Sequence, residues 1–182
     1  MEYTTRRYPQ FSVCGLNCGL CPRYHTDGAS RCPGCAGVGF SEVHPPCSVL
    51  SCCQRKGLEY CFLCDEYPCE KFDSADVRDS FITHRNQFID MEKAKNDISA
   101  YKAELDTKIQ MLEELLSNYN DGRRKGLFCI AVNLLDQTDV TWVMEQLKNV
   151  PHEASEKEKA VAAVRLVQAK ADEKGIDLKL RK

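Results

Sequence analysis

From residue 80 onward the apolar positions recur with helical spacing. Phe81, Phe88, Met91, Ile98, Tyr101, Leu105, Ile109, Leu112, Leu116 and Tyr119 are separated by three, four or seven residues. Such spacing places them along one face of a helix. The pattern predicts a helix from about Ser80 to Tyr119, with a break or kink over Glu92–Asp97, where only Ala94 continues the stripe. Asn118, Asn120, Asp121 and Gly122 then form a stop signal. A short helix is predicted over Lys125–Leu135. Asp136 or Thr138 caps another, which runs to Lys148 before Pro151 ends it. Ser155 and Glu158 make a capping box for a last helix to Lys174, with Gly175 as its C-cap. The tail Ile176-Asp177-Leu178-Lys179-Leu180 alternates apolar and polar, which predicts a short edge strand.

Before about residue 72 no such period exists. Seven of the ten glycines and six of the seven prolines lie there. A stretch of this kind buries little apolar area, so another kind of bond must hold it together. Cysteine supplies the candidate. Eleven of the twelve cysteines fall between Cys14 and Cys69, and the other is Cys129. The expectation is a mainly α protein with a small irregular cysteine-rich metal-binding module, zinc-knuckle or ribbon-like, at its N-terminal end. Residues 1–73 form that module, and residues 74–182 form a helical domain packing on it.

Charge and hydropathy narrow the setting. The 182 residues carry a formal net charge of −2, which gives no general attraction to nucleic acid or anionic membrane. No run of 18 apolar residues spans a bilayer. The opening residues MEYTTRRYPQF have no apolar segment behind the arginines, so no signal peptide is expected. The expected location is cytoplasmic. In a reducing compartment, dense thiols read as metal ligands rather than disulfides.

The spacings support that reading. Cys18-x2-Cys21 and Cys32-x2-Cys35 are two knuckles, each able to turn both sulfurs toward one tetrahedral ion. Gly19 and Gly34 sit inside them. A later set contains Cys47, Cys52, Cys53, Cys61, Cys64 and Cys69, with Cys61-x2-Cys64 as a third knuckle. Cys47 and Cys52 can complete a second site, and Cys69 can replace either. Cys52 and Cys53 are adjacent and point opposite ways in an extended segment, so only one is expected on a given ion. Cys53 is the spare. His44-x2-Cys47 offers a nitrogen ligand among cysteines already in surplus. Cys129 lies in the apolar run Leu127–Val132 and reads as a buried inert thiol. His25, His84 and His152 read as surface or capping residues, and Trp142 as core. Cys14-x3-Cys18-x2-Cys21 has the spacing of the cluster loop of radical S-adenosylmethionine enzymes. The strand–helix alternation such a barrel needs is missing downstream.

Two stretches carry a further likeness. Cys14-Gly15-Leu16-Asn17-Cys18-Gly19-Leu20-Cys21-Pro22-Arg23-Tyr24 with Cys32-Pro33-Gly34-Cys35 resembles the opening of the DUF3795 family. Lys56–Lys71, containing Cys61, Cys64 and Cys69, resembles that family's second signature. The resemblance covers about residues 11–73, and ten cysteines align in order: Cys14, Cys18, Cys21, Cys32, Cys35, Cys47, Cys52, Cys61, Cys64 and Cys69. It implies a cysteine-rich, metal-binding protein of prokaryotes and no activity.

These readings lead to two structural Zn2+ ions on the ten aligned cysteines. The alternative is a [4Fe-4S] cluster with a redox or catalytic role, since the ten thiols also suffice for such clusters. Closed four-cysteine zinc sites leave no open position for water, so an interaction or regulatory role is expected rather than an enzyme. The alternative would make Cys14, Cys53 or Cys69 reactive thiols. A protein partner is expected, and neither nucleic acid nor membrane. Residues 1–72 balance seven Lys/Arg against seven Asp/Glu. Arg6-Arg7-Tyr8 and Arg123-Arg124-Lys125 read as solvated faces. The helical stripe is expected to pack within the chain, which favours a monomer.

Overall fold

The structure, a computed structural model, describes residues 3–73 and 77–182. The expected boundary at residue 73 adjoins 74–76, which lie outside the described residues. Seven helices and no strand occur among the described residues. In the cysteine-rich part, α1 spans Phe40–Val43 and α2 Ser48–Arg55, joined by turns and short 3-10 segments. The remainder holds α3 (Gln87–Asn96), α4 (Ile98–Asn118), α5 (Lys125–Leu134), α6 (Gln137–Leu147) and α7 (Glu156–Glu173).

The predicted break in the first long helix falls at one residue. Asp97 adopts extended geometry, ends α3 and starts α4. Its carboxylate accepts from the Ser99 and Ala100 amides at 3.0 and 2.9 Å, which satisfies two of the donors that every helix start leaves open. The capping box at α7 is present in both directions between Ser155 and Glu158. Gly175 follows with φ +67°, the left-handed turn that glycine permits.

Three expectations fail. The helix begins at Gln87, not near Ser80. Asp79 explains the delay: its carboxylate accepts from the His84 amide at 2.7 Å and pairs with Arg181 at 2.9 Å. Those bonds fold residues 79–84 into a loop, and Phe81 leaves the helical stripe for solvent. The tail forms no strand. The Arg85 guanidinium instead donates to the carbonyls of Asp177 and Lys179. An alternating segment with no neighbouring strand has nothing to complete a ladder with. Trp142 stands 36% exposed, its ring beneath the Lys170 ammonium at 4.6 Å.

Helix α4 is central and touches α3, α5, α6 and α7. Its buried Tyr101, Leu105, Ile109, Leu112 and Leu115 are the residues of the predicted stripe, with Leu115 in place of Leu116. The same core continues into the cysteine-rich part through Phe11, Val13, Leu20, Leu50 and Tyr60. Phe11 sits 4.8 Å from the Tyr101 ring and 5.4 Å from that of Tyr60. The cysteine-rich part thus has an apolar anchor on α4 in addition to its sulfur.

Candidate metal centres

The loop from Ser12 to Cys21 brings in three thiols. Ser12 organises it: its hydroxyl accepts from the Leu16 amide at 2.7 Å and lies 3.1 Å from Cys14 Sγ. Gly15 turns the chain at φ +89°, and Cys18–Leu20 closes as one 3-10 turn. The second knuckle is fixed by its backbone, with the Cys32 amide donating to Arg23 O at 3.0 Å and the Cys35 amide to Pro9 O at 2.8 Å. Cys47 is the N-cap of α2, where its sulfur accepts from the Leu50 amide at 3.5 Å. These segments line one cavity of about 320 Å3 that holds Cys14, Cys18, Cys21, Cys32, Cys35 and Cys47. His44, His84 and Arg23 also border it, and Val13, Leu16, Phe40 and Ile82 are among its apolar walls. By sequence position Cys47 falls in the later set of cysteines, but it lies with the first two knuckles.

The other five thiols line a second cavity of about 480 Å3: Cys52, Cys53, Cys61, Cys64 and Cys69. Cys53, read as the spare, is buried here with its sulfur 3.3 Å from Cys61 Sγ. Helix α2 explains how both adjacent cysteines reach one cavity. Consecutive helical side chains diverge by about 100°, not the half-turn of an extended segment. Lys56 stands at the mouth, 3.3 Å from Cys64 Sγ and 2.9 Å from Glu66. The two cavities are neighbours: the Cys61 amide donates to Val13 O at 2.8 Å, next to Cys14. Among the described residues, no three Cys, His, Asp or Glu side chains close on a common point as a preformed single-ion site.

Burial sets the protonation of these thiols. It holds Cys14 and Cys21 above the usual thiol range, and Cys18 well above it, with repulsion from Cys35 and three other cysteines adding to the burial. Cys35 is pushed up to about 12, mainly by burial. A hydrogen bond links the Cys53 and Cys61 thiols. Their hydrogen bond lowers Cys53 and, with burial, raises Cys61. A bound cation reverses this, because a coordinating thiol gives up its proton to the metal's field.

The first loop is seated on three helices by Asn17, which the cysteine spacings do not single out. Asn17 is 3% exposed. Its amide nitrogen donates to Asp90 of α3 at 2.9 Å and to Asn133 of α5 at 3.3 Å. Its amide oxygen accepts from the Tyr101 hydroxyl of α4 at 2.8 Å. Gln87 adds a further contact by donating to Cys14 O at 2.7 Å. The two loop glycines permit the approach. A Cβ on Gly15 would collide with Met91 and the Gln87 carbonyl, and one on Gly19 with Ile109. A polar residue locked between two cysteines was the available signal for Asn17. Its partners are 73 or more residues away in sequence, so spacing alone could not name them.

Other candidates are engaged elsewhere. Cys129 is buried in α5, with its thiol pushed up to about 12 by burial. His25 Nε2 lies 2.7 Å from Gly19 O, and His152 is exposed. Arg6 donates to Phe11 O at 2.7 Å and stacks over Tyr60. Arg124 pairs with Asp121 at 3.4 Å, and Lys125 reaches Thr26 Oγ1 at 3.2 Å. No helix among the described residues is long and apolar enough to cross a membrane.

Comparison with known proteins adds one finding. No curated protein and no solved structure matches the chain. Residues 10–74 match the family model of DUF3795, described as a protein of unknown function, which is the family that the two signatures resemble.

Proposed function

We propose that this is a metal-binding protein with two metal centres, one in each sulfur-lined cavity, and that the metals stabilise the cysteine-rich segment on its helical base. The observation that carries the reading is the division of eleven thiols, six to one cavity and five to the other. Buried thiols in such numbers repel one another once ionised, and a cation between them removes that penalty. Zinc suits the five-thiol cavity. Sulfurs bonded at 2.3 Å to a tetrahedral ion stand roughly 3.8 Å apart, and Cys53 and Cys61 are already close at 3.3 Å.

The role that follows is interaction rather than catalysis. A closed thiolate site has no position for a water nucleophile. Val38 and Leu63 stand 82% and 53% exposed on the cysteine-rich part, apolar side chains that a protein partner would cover. Titration of the full chain with an organomercurial tests the metal reading. Progressive thiol capture should release bound metal to a chromophoric indicator. Release of no metal, from protein purified without chelators, would sink it.

A further inference from the structure

The six-thiol cavity has two thiols more than one tetrahedral ion takes. Its volume is about 320 Å3, against roughly 30 Å3 for one water in the liquid. A single zinc ion draws its four sulfurs to within roughly 3.8 Å of one another, a closeness that Cys53 and Cys61 already have in the other cavity at 3.3 Å. An iron–sulfur cubane does the opposite. Each cysteine holds a different iron, and inorganic sulfide fills the centre, so the thiols stand apart around a filled volume.

The surroundings agree with a cluster. The thiols arrive from three chain segments: the loop of Cys14, Cys18 and Cys21, the knuckle of Cys32 and Cys35, and the start of α2 at Cys47. Val13, Leu16, Phe40 and Ile82 give the walls an apolar character, which keeps water from labile iron–sulfide bonds. Among the described residues, Arg23 is the one permanently charged side chain on the lining. It suits the net negative charge of an iron–sulfur core carrying four thiolates.

We propose that this cavity binds a four-iron, four-sulfide cluster on four of its six cysteines, with Cys18 among the ligands. Cys18 is chosen because it lines the cavity from the 3-10 turn of the loop that also brings in Cys14 and Cys21. The assignment rests on the metal-binding reading above and replaces zinc at this cavity only.

The test is anaerobic purification of the full chain, followed by iron, acid-labile sulfide and zinc analysis. The same analysis is made on Cys18→Ala and on Cys129→Ala, whose thiol lies apart in α5. Helical circular dichroism confirms that each variant is folded. The expected result is a brown protein in which Cys18→Ala loses about four irons and four sulfides per chain relative to wild type, while Cys129→Ala loses none. If Cys18→Ala changes neither iron nor sulfide, or if wild type carries about two of each, the assignment is overturned. A colourless protein with zinc in both cavities overturns the cluster and leaves the metal-binding reading standing. A folded protein with no metal overturns both.

Discussion

The Asn17 side-chain amide donates to the Asp90 carboxylate at 2.9 Å, tying the loop between Cys14 and Cys18 to helix α3. Replacing Asn17 by Ala leaves that carboxylate and the Tyr101 hydroxyl without their shared partner. Losing two buried hydrogen bonds, one of them to a carboxylate, should cost about 3 kcal/mol. Urea unfolding of the metal-loaded Asn17→Ala protein should show that loss, with the midpoint lowered and the slope unchanged. A shift below the error of the method would mean the network does not anchor the loop.

Asp90 has a second consequence, through pH. Burial raises its pKa from the ordinary 3.8 to about 6, against the opposing pull of Lys108 and Lys93. Between those values the folded chain holds a proton that the unfolded chain has released. Stability from this group is therefore highest below pH 4 and falls as pH climbs through 6. The interval corresponds to roughly 3 kcal/mol. Asp90→Asn removes the titration, so the stability difference between variant and wild type should move in the variant's favour between pH 4 and 7. Acid also protonates metal-bound thiols, but that change is common to both proteins and cancels in the difference. A difference that is flat with pH would contradict the account.

Gly15 is needed twice over, for its φ of +89° and for its closeness to Met91. Gly15→Ala combines backbone strain with overpacking and should cost roughly 3 kcal/mol. Thermal unfolding followed by circular dichroism measures it, and an unchanged midpoint would show that the loop does not lie on α3 as described.

Metal loading should release protons. Cys14, Cys18, Cys21 and Cys35 are all held above the usual thiol range when no cation is near. Each that becomes a ligand must lose its proton, so an indicator in weakly buffered solution near neutral pH should report about one proton per thiolate bond formed. Metal uptake without acidification would place the metal on other groups.

The helices were largely legible in the sequence because their information is local. The stripe on α4, the Asp97 break and the Ser155–Glu158 box each lie within a turn or two. The helix start was missed because Asp79 answers to Arg181, 102 residues away. The tail was misread because alternation signals a strand only where a second strand exists to pair with it. The cysteines were legible as a set, but their division was not. Spacing places Cys47 in the later set and leaves Cys53 spare without deciding the pairing, while the chain around α2 carries Cys47 to one cavity and Cys53 to the other. Asn17 was visible as a motif residue, yet its role appears only with Asp90, Tyr101 and Asn133 around it.

Native mass spectrometry of the full chain, purified without oxygen or chelator, addresses the central claim most directly. Two occupied cavities predict a folded charge distribution with a mass excess that disappears on denaturation in acid. They also predict that a chelator strips that excess and makes residues 3–73 open to protease before α3–α7, since structural metal is worth on the order of 10 kcal/mol in small thiolate modules. A folded chain at the mass of the bare polypeptide, with residues 3–73 protected from protease, would contradict the account.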